Sequence, residues 1–141
     1  MKRAVFDTNV LLSALLATSG VSAHLLIHSE HFTLITSEAI LAELAEKSHL
    51  PRIQVKYYLT DAVITEYITR LRAAATVVDV HSSVTVVRDP DDNMVLACAL
   101  DGGAGYVVSR DRDLLDIGTY QGIQLLSPEQ FLAIVREELP E

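Results

Sequence analysis

Short apolar, β-branched runs alternate along this chain with longer segments whose apolar residues recur at helical spacing, and most of the helical segments open on a capping signal. That alternation limits the fold more than any other feature. Arg3 to Phe6, Phe32 to Thr36, Thr76 to Val80, Tyr106 to Ser109 and Ile123 to Leu126 read as strands. Between them, Asp7-Thr8-Asn9 precedes a helix over Val10 to Leu16, Gly20 precedes one over Val21 to His28, and Ser37-Glu38-Ala39-Ile40 opens one through Lys47. Thr60-Asp61 opens another through Ala75, and Asp89-Pro90-Asp91-Asp92 combines a cap with a proline before Asn93 to Leu100. Ser127-Pro128-Glu129-Gln130 is a capping box leading a helix to about Glu138. At every start but the one after Gly20, a short side-chain oxygen can accept from amides that the first turn leaves without partners. Pro51 interrupts, Arg52 to Leu59 is too short and mixed to assign, and His81 to Val87 reads as a connector. Alternating strands and helices predict an α/β fold, a three-layer α/β/α sandwich around a mostly parallel sheet. With no repeat, linker or low-complexity tract, residues 1–141 read as a single domain.

Half of the residues are hydrophobic and the mean hydropathy is +0.28, so a proper core is expected without disulfides or a structural metal. Cys98 is the one cysteine and sits in an apolar run, which leaves no internal disulfide and suits a reducing compartment. Lys2 and Arg3 before an apolar segment resemble a signal peptide, but Asp7 and Asn9 break the run such a peptide needs. No stretch approaches the ~20 apolar residues of a membrane span, and a cytoplasmic protein is expected. Eleven basic residues against nineteen acidic ones give a net charge of −8. That balance opposes broad electrostatic coating of nucleic acid and leaves room for an enzyme with local basic contacts and a cation in its site.

The acids are unevenly placed. Asp89, Asp91 and Asp92 stand at one end of the stretch from Arg88 to Leu115, and Asp111 and Asp113 at the other, across a buried helix and a strand. In parallel α/β sheets, sites lie beyond the carboxyl ends of the strands. Asp7 follows the first strand and Asp111 with Asp113 follows the strand ending at Ser109, so both groups fall at that edge. Asp92 shares a helix face with Val95, Leu96 and Ala99, which points it toward the sheet, whereas Asp91 is rotated away. Ionised carboxylates ~5 Å apart repel by roughly 1 kcal/mol even at water-like dielectric. Each acid alone has a bland explanation as a cap, a first-turn charge or a loop residue; their convergence asks for a cation. Oxygen-only ligation points to Mg²⁺ or Mn²⁺, and the matching chemistry is hydrolysis of a phosphodiester by a water that the cation activates.

Other chemistries find little support. There is no phosphate loop with a lysine and no nucleophile elbow, and Gly102-Gly103-Ala104-Gly105 ends a helix instead of starting one. His24 and His28 share a helix face without a third ligand nearby in sequence.

These residues resemble the PIN-domain ribonucleases, and within them the toxin-like (VapC-like) proteins paired with antitoxins in prokaryotes. The resemblance rests on the opening strand with Asp7-Thr8-Asn9, the helix carrying Glu43, the segment from Arg88 carrying Asp92, and the strand and turn carrying Ser109, Asp111 and Asp113, in that order over nearly the whole chain. It implies a PIN-like fold with an acidic quartet of Asp7, Glu43, Asp92 and Asp111 holding Mg²⁺ or Mn²⁺. It further implies Asp113 as an auxiliary acid and Thr8, Asn9 and Ser109 as polar supports. On the helical wheel Glu38 and Glu43 both flank the Ile40, Leu41, Leu44 face, so geometry alone leaves that choice open. The spacing of Asp92 to Val95, Leu96 and Ala99 is similar to the family's acid-then-helix pattern, with Asp89 as the loop or cap residue. RNA would be the substrate, with Arg110 and Arg112 as candidate phosphate contacts; Lys56, Tyr57 and Tyr58 read as a solvated face. A protein antitoxin and a homodimer are family expectations. Two alternatives belong to other classes: a non-catalytic RNA-binding or scaffold protein of the same fold, and a phosphoryl-transfer enzyme built on Asp7. The latter would want an aspartate where Asn9 stands.

Overall fold

A computed structural model describes residues 1–138, so the last residues of the expected domain lie outside it. Strands β1 (Arg3–Phe6), β2 (Thr33–Thr36), β3 (Thr76–Val77), β4 (Tyr106–Val108), β5 (Thr119–Tyr120) and β6 (Ile123–Leu126) form one six-stranded sheet in the order β3-β2-β1-β4-β6-β5. Every neighbouring pair is parallel except β5 with β6. Ala4, Val5 and Phe6 of β1 are all buried, which explains why this central strand reads as an unbroken apolar run and not as an alternation.

Helices α1 (Thr8–Leu16), α2 (Val21–Ile27), α3 (Glu38–Ser48), α4 (Pro51–Tyr57), α5 (Asp61–Ala74), α6 (Pro90–Asp101), α7 (Arg112–Leu115) and α8 (Pro128–Glu137) flank the sheet. The chain winds outward from β1 through β2 to β3, then crosses back through α6 to β4. Right-handed crossovers put the helices of the first two connections on one face and α6 on the other, where it packs on β1, β2 and β4. The capping signals act as read. Asp7 Oδ1 accepts from the Val10 amide at 2.8 Å, Ser37 Oγ from Ile40 at 3.3 Å, Thr60 Oγ1 from Val63 at 3.2 Å and Asp89 from Asp91 at 2.9 Å. Ser127 and Gln130 close a reciprocal box. No single helix among the described residues is long and apolar enough to cross a membrane.

Three local features depart from the sequence reading. Pro51 begins α4 instead of interrupting, because a proline at the first helical position gives up an amide that has no helical partner there; Tyr58, at φ 55°, ends it. The strand expected through Val80 stops at Val77. Its neighbour β2 ends at Thr36, whose carbonyl takes a last bond from Val78, and Ser37 then turns away to cap α3. The third is an unanticipated short helix, α7, and a hairpin of β5 with β6, whose two turn residues Gln121 and Gly122 have φ of 47° and 83°, the primed geometry that matches strand twist.

Gly102, at the end of α6, touches the sheet so closely that an added Cβ would stand 2.6 Å from Ile35 Cγ2 and 3.0 Å from the Cys98 carbonyl oxygen. Gly102→Ala is expected to cost about 1–3 kcal/mol through overpacking, read as a lower urea midpoint. An unchanged midpoint would mean that Ile35 moves aside freely.

Candidate active site

The pairing of β1 with β4 sets Asp7 beside Ser109 at the carboxyl edge of the sheet, and the Asp7 amide donates to the Val108 carbonyl at 3.0 Å. The Ser109 hydroxyl donates to Asp7 Oδ2 and accepts from the Asp111 amide at 2.9 Å. Both Asp7 oxygens are thus held, one by Ser109 and one by the Val10 amide. Asp7 is only 4% exposed. Burial pushes its carboxyl above the usual range and Asp111 adds to this, while the Ser109 and Val10 hydrogen bonds and the nearby Lys47 pull the other way.

Asp92 enters from α6, 8% exposed, on the face it shares with the buried Val95, Leu96 and Ala99. Its Oδ2 is buried without a hydrogen-bond partner, a costly position for a carboxylate. Burial first, then the charges of Asp111, Asp89 and Asp7, push its pKa up to about 7. Glu43 arrives from the middle of α3. Thr8 Oγ1 donates to its Oε2 at 3.0 Å and the Lys47 ammonium lies 2.9 Å from its Oε1. Lys47 also donates to Asn9 Oδ1 at 3.1 Å. Glu38 is exposed and ion-pairs with Arg72 of α5. Positions five apart on a helix point ~140° away from each other, so the two glutamates that the helical wheel left level face different neighbours.

Asp7, Glu43, Asp89, Asp91, Asp92 and Asp111, with Thr8, Asn9 and Lys47, line a narrow cleft of about 40 Å³. That is room for one ion and its water, given that a single water needs ~10–15 Å³ by the same measure. An adjoining groove of about 190 Å³ shares Asp7, Asn9 and Asp111 and adds Arg110, whose guanidinium is paired with Glu129 at 2.7 Å. Asp113 lies outside both: its carboxylate meets Arg88 at 3.1 Å and its amide donates to Asp111 Oδ1. Arg112 is exposed at the start of α7 and lines neither cavity. Sequence reading passed over Lys47, although its position four residues after Glu43 on one helix was a usable signal. It also underrated Asp89 and Asp91, which behave as cap and exposed charge yet stand on the rim.

The donor set is oxygen-only, which fits a hard divalent cation, and the unpartnered Asp92 oxygen is the group that such an ion would satisfy. Among the described residues, no three acidic, imidazole or thiol side chains are already drawn into ligating geometry. Glu43 and Asp7 are instead held by Lys47, Thr8, Ser109 and Val10.

The sequence profile described as PIN domain matches residues 3–113, a span that contains every acid of the cleft. The chain belongs to the PIN domain family. This PIN domain is 29% identical over 117 residues to the uncharacterized protein MJ1680 of Methanocaldococcus jannaschii, covering 82% of this chain and 74% of that one. Its fold is similar to a chain in the crystal structure of VapBC2 from Rickettsia felis bound to a DNA fragment from their promoter, with TM-score 0.60 and 13% identity over 87% of this chain and 96% of that one. It is also similar to PAE2754 from Pyrobaculum aerophilum, with TM-score 0.58 and 16% identity over 97% and 91%. At those identities the likeness is one of fold. A cavity of about 450 Å³, mostly apolar, lies away from the acids, between α1, α2 and α5.

Proposed function

We propose that this PIN domain is a metal-dependent endoribonuclease, hydrolysing RNA phosphodiester bonds, and that it is the toxin of a toxin–antitoxin pair. The observation that carries the reading is the buried, unpartnered oxygen of Asp92 in a cleft of carboxylates at the sheet edge. Asp7, Glu43, Asp92 and Asp111 would hold Mg²⁺ or Mn²⁺. Such an ion, when bound, supplies positive charge against the developing charge of the phosphoryl group and lowers the pKa of a water nucleophile.

The remaining work falls to the chain. Ser109 and the Val10 amide orient Asp7, and Thr8 orients Glu43, so that those carboxylates are fixed before substrate arrives. Asp111 caps α7 through its Oδ1, which fixes its direction, and Asp113 restrains Arg88 beside it. The adjoining groove offers the RNA backbone a path past Arg110, and the exposed Arg112 adds positive charge nearby. A chain with net charge −8 needs such local contacts, because its overall field repels RNA. The protein partner is supported by the likeness in fold to a chain of the VapBC2 structure and by the mostly apolar groove between α1, α2 and α5.

The test is to incubate the purified protein, freed of any partner, with structured RNA in Mn²⁺ and in EDTA. Cleavage is expected in Mn²⁺ and not in EDTA. Cleavage that survives EDTA would sink the metal mechanism; tight RNA binding without cleavage in Mn²⁺ would replace the enzyme with a scaffold.

A further inference from the structure

Six carboxylates line the cleft, and Lys47 is the one cationic side chain among the lining residues. Its ammonium lies 2.9 Å from Glu43 Oε1 and donates to Asn9 Oδ1 at 3.1 Å, so it bridges α3 to the start of α1. An ordinary glutamate–lysine pair on one helix leaves both side chains largely in water and contributes little. Here the Glu43 side chain is 13% exposed and that of Lys47 33%, and a third group from another helix completes the contact. With Thr8 on the second oxygen, both oxygens of Glu43 are occupied. A divalent ion taken up by Glu43 and the aspartates would have to share Glu43 with an ammonium already there, or displace it. Like charges within a few ångströms in a partly desolvated cleft repel strongly.

We propose that Lys47 is a positioning residue, a built-in counter-cation that holds Glu43 and Asn9 across the metal-free cleft and competes with the divalent ion for Glu43. The inference rests on the metal reading above. It makes the metal affinity a compromise: the lysine steadies the clustered acids when no ion is bound, and by doing so weakens the ion's hold. Metal occupancy then follows the surrounding concentration of free divalent ion instead of saturating at all times.

The experiment measures Mn²⁺ binding by titration calorimetry, and thermal unfolding with and without Mn²⁺, for the wild type, Lys47→Met and Lys47→Arg. Lys47→Met keeps the apolar stem without the charge and is expected to bind Mn²⁺ about tenfold tighter or more, while unfolding at a lower temperature in EDTA. Lys47→Arg keeps the charge and is expected to stay near the wild type on both measures. Should Lys47→Met not fold without metal, Lys47→Gln carries the same expectation for Mn²⁺ affinity. Unchanged or weaker Mn²⁺ binding by the neutral variants overturns the inference and leaves the metal site standing. A wild type that binds no Mn²⁺ overturns the metal site, and the inference with it.

Discussion

Asp92→Asn is expected to lower metal-dependent RNA cleavage on the order of 10²–10³-fold, the scale on which loss of one charge-stabilising group acts, while making the metal-free protein more stable. The two effects share a cause. Asp92 is buried among acids with one oxygen unpartnered, so its ionised form is held at a cost that only a bound cation offsets. An acid whose folded-state pKa stands above its unfolded value binds its proton more tightly when folded. The stability from that proton is fully present below pH ~4 and is lost as pH rises toward 7, the window set by a shift from 3.8 to about 7. At roughly 1.4 kcal/mol per pKa unit, the loss amounts to a few kcal/mol. In EDTA the asparagine variant should therefore unfold at nearly the wild-type temperature at pH 4 and well above it at pH 8. Adding Mn²⁺ at pH 8 should raise the wild type and leave the variant where it was. Equal stability differences at both pH values would show that Asp92 is not the strained acid described, and unimpaired cleavage would remove it from the chemistry.

Phe131→Ala is expected to cost about 3–5 kcal/mol, a large share of the 5–15 kcal/mol by which ordinary domains are stable. Phe131 is fully buried, edge-on to Phe6 and Phe32 with ring centroids 5.9 and 5.1 Å away, and tilted against Tyr106 at 5.5 Å. It fastens α8 to β1 and β4, the two strands whose ends carry Asp7 and Ser109. Urea unfolding should show a lower midpoint with an unchanged slope. A loss below ~1 kcal/mol would mean that α8 contributes little to the core.

Most of the fold was legible because its signals are local. A side-chain oxygen before an apolar run caps a helix whatever lies elsewhere, and the strands, helix starts and parallel sheet followed from that. What escaped was set by partners distant in sequence. The strand at Thr76 could not be bounded without knowing that β2 ends at Thr36, and Gln121-Gly122 carries a weaker turn signal than asparagine–glycine would. In the site, Asp7, Asp92 and Asp111 could be brought to one edge from strand ends and helix faces alone. Glu38 and Glu43 could not be separated, because what distinguishes them is Arg72 on α5 and Thr8 on α1. Lys47 escaped for another reason: an acidic cluster directs attention to acids, and the lysine entered only as the end of a helix.

Asp7 and Ser109 bond to each other across 102 positions of sequence, and this fixes when the cleft can exist during synthesis. At ~5–20 residues per second, β1 leaves the ribosome roughly 5–20 s before β4 does. Through that interval the central strand of the future sheet has one edge unpaired, a template on which another chain could pair. No shortened product that stops before Ser109 can carry the whole set of acids, because Asp111 is absent and Asp7 lacks the partner on its second oxygen. For a protein proposed to be toxic, a chain interrupted before Ser109 would lack the cleft on which that proposed activity rests.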